Sequence, residues 1–311
     1  MSSPYLLDAQ NLTVSFNTGH GKKRQTVHAL NAASMLVSNG EIHGLVGESG
    51  SGKSTFARAV CGLQTVTSGA VVFDGTALDD RRSKEQRREI QMVFQDPYAS
   101  LDPRFTVRDV LSEIIKFHHT APKDQIENRC KELMDLVQLP EAFLDNKPDS
   151  MSGGQRQRVA IARALAANPS LLIADEAVAA LDVSVQAGII NLMLDLRDQQ
   201  GITILFIAHN LAVVHNICDR ISVIYLGCIV EEASTEELFS NPLHPYTRRL
   251  LSAVPRLDGR QTVVPSVQDP EHTILPDGNT GTYFDPSKDR CKWSLLSVDT
   301  KQDHYVACKV S

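Results

Sequence analysis

Short, mostly apolar runs alternate with stretches of helical spacing over most of the chain. Ile42 to Val46, Ala70 to Phe73, Ile90 to Phe94, Leu171 to Ala174, Ile202 to Ala208 and Ile221 to Leu226 read as strands. Between them Phe56, Val60 and Leu63 recur at helical spacing, and Val183 to Gln200 and Leu211 to Ile217 read as helices. Nearer the start, Leu6 to Phe16 and Val27 to Val37 mix apolar and polar residues as strands do, on either side of a polar loop from Asn17 to Gln25. They predict a small antiparallel sheet beside the core. Strands alternating with helices predict an α/β fold around a largely parallel sheet, with chemistry at the strands' C-terminal ends.

Two regions break this rhythm. From residue 96 to 150, Asp96-Pro97 and Asp102-Pro103 mark turns, and Val107 to Phe117 and Gln125 to Leu139 follow with helical periodicity, broken at Pro122 and Pro140. This is a mostly helical insertion, and the core resumes at Leu165. Beyond Pro255 the prolines Pro265, Pro270, Pro276 and Pro286 punctuate a stretch with little apolar periodicity, read as a loop-rich appendage with short extended pieces. Arg81 to Arg88 is densely basic and is read as a solvated helix face rather than a phosphate or membrane patch.

Three motifs carry chemistry on this scaffold. The first is Gly47-Glu48-Ser49-Gly50-Ser51-Gly52-Lys53-Ser54-Thr55, set between an apolar run and a helical one. Its glycines let several backbone N–H groups turn toward one anion, and the following helix adds the positive end of its dipole. Lys53 brings a point charge to the outer phosphates, and the Ser54 hydroxyl is a ligand for Mg²⁺. The loop binds a nucleoside triphosphate. The second motif is the apolar strand Leu171 to Ala174 ending in Asp175-Glu176. Asp175 is placed beside the Mg²⁺, and Glu176 to accept a proton from attacking water. The third is Ser152-Gly153-Gly154-Gln155 at the start of a further helix, a second anion-receiving helix end. The first loop already encloses its phosphates, so the second end completes a site on another molecule. Phe16 is placed against the adenine ring; its plainer reading is a core phenylalanine.

Composition adds bounds. The 311 residues, 42% hydrophobic and 22% charged, have room for one large domain plus an extension. A formal net charge of −6 argues against a nucleic-acid partner. No apolar run reaches the roughly 18–20 residues that cross a bilayer, and no signal peptide is visible. The six cysteines include no C-x-x-C, which suits a reducing cytosol.

The order of phosphate loop, Gln95, Ser-Gly-Gly-Gln, acid-ended strand, Ala180-Leu181-Asp182 and His209 resembles the ATP-binding subunit of an ATP-binding-cassette (ABC) transporter, from about residue 5 to 240. The resemblance implies a P-loop NTPase core of ABC type with an antiparallel β subdomain, a helical subdomain (about 96–165) and a loop-rich C-terminal extension. The cassette would span 1–255 and the extension 256–311. It further implies two cassettes sandwiching two ATP molecules head to tail, the phosphate loop of one facing the Ser-Gly-Gly-Gln of the other. Gln95 would sense Mg²⁺ and the water, Asp182 would bridge the two sites, and His209 would contact the γ-phosphate. The partners implied are membrane permease subunits, a second ATPase subunit (self or sister) and, indirectly, an extracytoplasmic solute-binding protein. The implied place is the cytoplasmic face of the cell membrane, as a peripheral subunit.

Val93 to Arg104, Leu181 to Ala187 and Asn241 to Thr247 are similar to the ATPases of oligopeptide, dipeptide and nickel importers. The chain departs from that pattern at Ala177-Val178-Ala179, Asn210 and Met151, and Thr282 stands where a cluster-ligating cysteine is common. Cys291 and Cys308 cannot by themselves complete a four-cysteine iron–sulfur site. The expected function is therefore the ATP-hydrolysing motor of an importer of peptides or a similar small solute. Its rivals are a soluble ABC ATPase acting on nucleic acid or ribosomes and a non-hydrolysing ATP-binding half of a heterodimeric transporter.

Overall fold

The computed structural model describes residues 4–18, 25–96, 100–179, 181–253, 272–276, 279–289, 293–299 and 303–309. Pro97 to Ala99, Ala180, Pro255, Pro265, Pro270 and Cys291, singled out above, lie outside these residues.

In chain order come β1 (Tyr5–Thr18), β2 (Gln25–Ser38), β3 (Ile42–Val46), α1 (Lys53–Val60), β4 (Ser68–Phe73), β5 (Thr76–Leu78), α2 (Lys84–Glu89) and β6 (Ile90–Val93). Next are α3 (Val107–His118), α4 (Ile126–Leu136), α5 (Gly153–Leu165), β7 (Leu171–Asp175), α6 (Val183–Gln200) and β8 (Thr203–Ala208). Then follow α7 (Leu211–Ile217), β9 (Arg220–Tyr225), β10 (Cys228–Ser234), α8 (Thr235–Ser240) and α9 (Pro245–Ser252). The last are β11 (His272–Ile274), β12 (Thr280–Thr282), β13 (Trp293–Asp299) and β14 (His304–Lys309). These elements fall into two compact units, one of residues 1–37, 42–80 and 208–311, the other of 38–41 and 81–207.

The first unit holds two sheets. One runs β2-β1-β4-β5, with β1 antiparallel to β4 and β4 to β5. Leu7, Leu12, Val14 and Leu30 are among its buried side chains. The other runs β13-β14-β10-β9-β3, with β3 parallel to β9 and the remaining pairs antiparallel. All of β3 is buried, which is why its sequence is apolar rather than alternating except at His43, whose ring shares a hydrogen bond with the Ser222 hydroxyl (2.8 Å). In the second unit β8, β7 and β6 lie side by side and parallel, and every residue of β7 and β8 is buried. Helices α2 to α6 lie in this unit, and α5 packs on β6.

Several boundaries depart from the periodicity. Helix α1 stops at Val60, and Leu63 is 61% exposed, so it does not extend the buried face of Phe56 and Val60. The helix expected from Gln125 to Leu139 is a 3-10 turn at Lys123–Gln125 followed by the shorter α4. The apolar run from Ile221 to Val230 is two strands. A two-residue turn with positive φ at Leu226 (48°) and Gly227 (82°) folds β10 back on β9, the backbone a tight hairpin demands. The basic run forms α2, which buries no residue, as expected of a solvated face, although Arg82 just before it is buried. Phe16 is 40% exposed, which overturns the core reading of that side chain.

Two of the extended pieces expected in the appendage are strands of the main sheet. β14 pairs with β10 in the register Glu231↔Val306, and β13 pairs with β14. Their apolar residues pack with the sheet: Val306 and Cys308 cluster with Tyr283, Leu243, Leu296 and Val298. Burial pushes the Cys308 thiol up to about 11, so it is protonated at neutral pH. Thr282 shares a hydrogen bond with the His272 ring (3.0 Å) across the β11–β12 pair.

Candidate functional site

The first unit carries the phosphate loop, strung between β3 and α1. Two glycines are fixed there by space and backbone angle. A Cβ on Gly47 would lie 2.2 Å from the Ile224 carbonyl oxygen. Gly52 has φ 112°, where side chains are disfavoured, and a Cβ there would lie 2.5 Å from the Ala29 carbonyl oxygen. Gly52 is also the N-cap of α1, with no capping side chain and no acidic residue in the first turn. The helix therefore begins without a side-chain cap, the arrangement that receives an anion. Lys53 is 4% exposed, and its ammonium donates to the carbonyls of Gly47 (2.8 Å) and Glu48 (2.9 Å). Ser51 is buried, its backbone carbonyl accepts from Gly227 N (2.8 Å), and its hydroxyl has no hydrogen-bond partner. A buried orphan hydroxyl, a cradle that any Cβ would fill and a buried ammonium together fit a phosphate chain. Glu48, Ser49 and Gly50 are the exposed crest of the loop, and Ser54 and Thr55 are half-buried in the first turn of α1.

The second unit carries the acids. Asp175, 4% exposed, ends β7, and the Glu176 amide continues the ladder to the Ile207 carbonyl (3.0 Å). Glu176 then takes φ 48°, a left-handed backbone that costs a non-glycine residue energy. A turn closed by Ala179 N donating to the Glu176 carbonyl (3.0 Å) follows. The side-chain amide of Gln95 donates to the Glu176 carboxylate at 2.7 Å. Two residues 81 positions apart, chosen from sequence for the same reaction, thus meet. That bond uses the Gln95 nitrogen and leaves its carbonyl oxygen for the role of ligand.

Ser152 caps α5 in a reciprocal box. Its hydroxyl accepts from Gln155 N (3.3 Å), and the Gln155 side chain accepts from Ser152 N (2.8 Å). The cap consumes the Gln155 amide, so Gly153 and Gly154, which carry no side chain to screen them, hold the amides left outside the helical ladder. A Cβ on Gly154 would lie 2.4 Å from Cγ1 of Val185, in the first turn of α6. We expect Gly154→Ala to push these two helix starts apart and to lower stability by about 1–3 kcal/mol. A thermal melt of the purified chain checks this. Asp182 caps α6, accepting from Val185 N (3.0 Å) and from the Ser184 hydroxyl (2.6 Å). The Ser184 hydroxyl, with the Val185 amide, holds its carboxyl below the usual carboxylate range.

His209 stands exposed after β8 in the first unit, and Asn210 behind it caps α7 through Ala212 N (3.0 Å). Asparagine in place of the family's usual aspartate at this position is thus immaterial to the helix start, because an amide oxygen caps as well as a carboxylate. Sequence reasoning missed Tyr246. It was visible only as part of a proline-started amphipathic helix, yet its hydroxyl accepts from Glu48 N (3.0 Å), within the phosphate loop.

Comparison with known proteins agrees with this geometry. The family model described as ABC transporter matches residues 30–179. The model described as the C-terminal region of oligopeptide/dipeptide transporters matches residues 230–293. Among solved structures, the ATP-binding cassette MJ0796, a dimer in a post-hydrolysis state bound to ADP and Pi, is 31% identical with a TM-score of 0.65, covering 74% of this chain and 98% of that one. The structure of cbiO1 from Clostridium perfringens, part of the transporter complex cbiONQ, is 30% identical with a TM-score of 0.66, covering 77% and 92%. The chain is an ATP-binding cassette ATPase.

The oligopeptide transport ATP-binding protein OppF of Bacillus subtilis (strain 168) is 45% identical over 310 residues, 97% of this chain and 96% of its own. OppF of Streptococcus pyogenes serotype M1 is 43% identical over 311 residues, 98% and 95%. The chain belongs to the ATP-binding subunits of ABC transporters, in the oligopeptide/dipeptide group. Among the described residues no helix is long and apolar enough to cross a membrane.

Proposed function

We propose that this chain is the ATP-hydrolysing motor of a peptide importer and that Glu176, held by Gln95, is its general base. The observation that carries the reading is the 2.7 Å contact between the Gln95 amide and the Glu176 carboxylate, next to a buried Asp175. A carboxylate oriented by a donor is set to take the proton of an attacking water. Lys53 and the phosphate-loop amides other than that of Glu48, which donates to Tyr246, bind the phosphates, and His209 orients the γ-phosphate. Phe16, exposed near the end of β1, stacks on the adenine.

Ser54, Asp175 and Gln95 are a hydroxyl, a carboxylate and an amide oxygen. This all-oxygen set suits Mg²⁺, which when bound neutralises charge on the phosphates. The Gly153 and Gly154 amides serve the triphosphate held by a second ATPase subunit, and Asp182 lies at that junction. The membrane permease subunits, fed by an extracytoplasmic solute-binding protein, are driven from the cytoplasmic face. Peptide as cargo rests on the relatives' names and on the match of the C-terminal region.

Purification of the native complex with its permease, reconstitution into vesicles and measurement of peptide-stimulated phosphate release test the reading. Stimulation by peptides is expected. Stimulation by a metal chelate or a sugar alone would assign another cargo, and no ATP turnover would remove the motor role.

A further inference from the structure

The His244-Pro245-Tyr246-Thr247 stretch is left without a task by the nucleotide chemistry, and the structure shows where its tyrosine goes. Tyr246 is 2% exposed, and its ring lies stacked on Tyr225 with centroids 4.1 Å apart. Its hydroxyl accepts the Glu48 N–H at 3.0 Å. That N–H belongs to the same peptide unit as the Gly47 carbonyl, which accepts the Lys53 ammonium at 2.8 Å. In a planar trans peptide the C=O and N–H point to opposite sides. Tyr246 and Lys53 therefore grip one plane from its two edges. Rotation of that plane would release the tyrosine and swing the carbonyl away from the ammonium. Burial pushes the Tyr246 hydroxyl up to about 12, so it stays a neutral acceptor through the physiological range.

Tyr246 is itself held from the C-terminal segment. His244 caps its helix: ring Nδ1 accepts Tyr246 N (3.1 Å), and ring Nε2 donates to the Phe284 carbonyl (2.9 Å). One neutral tautomer satisfies both bonds, and burial, which lowers the His244 pKa, favours that neutral form. Behind it, the fully buried Glu231 accepts from Leu243 N (2.7 Å), His244 N (2.9 Å) and His304 Nε2 (2.8 Å). Phe284 is tied in turn to β14 through the Ala307 carbonyl (2.9 Å). Every link lies within the first unit.

We propose that Tyr246 is a positioning residue of the nucleotide site, and that the C-terminal segment holds it there through His244 and Glu231. The segment that matches the transporter C-terminal region is thereby part of the ATP-binding apparatus, because it sets the peptide plane from which Lys53 reaches the phosphates. The inference rests on the phosphate loop being the ATP site.

The test uses the full chain and calorimetric titration with MgATP. Tyr246→Phe keeps the stacked ring and removes only the acceptor. It should weaken ATP binding about five- to tenfold, the effect of one buried hydrogen bond. In the assembled complex the loss should appear as a rise in the KM for ATP that exceeds any fall in kcat, since the tyrosine acts on binding through the peptide plane. His304→Ala should weaken ATP binding as well, and His304→Gln, which keeps a donor toward Glu231, should restore most of it. ATP affinity within about twofold of wild type in Tyr246→Phe overturns the proposal, whatever its melting temperature does. An equal loss in His304→Gln and His304→Ala overturns the part assigned to the C-terminal segment. Should His304→Ala fail to fold, the Tyr246→Phe titration decides the tyrosine's role and the His304→Gln titration, expected near wild type, decides the segment's. Lys53→Ala run alongside separates the two readings. If it keeps full ATP affinity, the phosphate-loop assignment has failed; if it alone loses ATP, only the tyrosine's role has.

Discussion

Glu176→Gln is expected to bind ATP normally and to hydrolyse it at least about a hundredfold more slowly, the smallest usual contribution of a general base. The substitution is nearly isosteric, so the bond from Gln95 and the turn after β7 keep their geometry. What disappears is the oxygen that takes the proton from water. Because ATP still arrives and does not leave as products, the paired state should accumulate. Gel filtration with MgATP would then show a larger species than with ADP. Phosphate release measured on the reconstituted complex checks the rate. Turnover near wild type would take Glu176 out of the base role, and the Gln95 contact would become a purely structural one.

The second large effect is expected at Lys53. Its ammonium is buried against the Gly47 and Glu48 carbonyls, a place where an unpaired charge would be costly. Backbone dipoles offset part of that cost, and bound phosphate completes the compensation. Lys53→Ala removes a charge-assisted contact of about 1.5–3 kcal/mol, so ATP affinity should fall by about 10- to 150-fold. Both carbonyls also lose their donor, and the loop relaxes around them. Equilibrium dialysis with labelled ATP measures the loss directly. An affinity unchanged by the substitution would mean that the triphosphate does not sit in this cradle.

Much of the site was legible because its chemistry is local in the chain. The phosphate loop spans nine consecutive residues, and the requirement for glycine at Gly47 and Gly52 is the contact each makes with a neighbouring carbonyl. Ser152 and Gln155 lie three apart, the spacing of a capping box, and Asp182 precedes an amphipathic run as an N-cap does. The strands β3, β7 and β8 were recognisable as buried from apolar runs, interrupted only at His43 in β3 and Thr203 in β8.

What escaped notice depends on pairs far apart in sequence. The Glu48–Tyr246 bond spans 198 positions, and no periodicity announces it. The β9–β10 hairpin hid inside one apolar run because its turn uses leucine at a positive-φ position, where asparagine or aspartate would have signalled it. β14 was missed for a different reason. Its alternation is short, and a strand that joins a sheet from more than 70 residues away is recruited by β10's unpaired edge rather than by its own propensity.

The left-handed backbone at Glu176 has an evolutionary corollary. A glycine there would sit without steric cost, and the fold would gain on the order of 1 kcal/mol from the exchange. Selection for backbone comfort alone would thus favour that exchange, leaving, with Glu176 as the proposed base, a clamp that shuts on its fuel and never lets go. On the proposed reading, an acidic side chain at so uncomfortable a bend marks a machine built for cycling, not for holding.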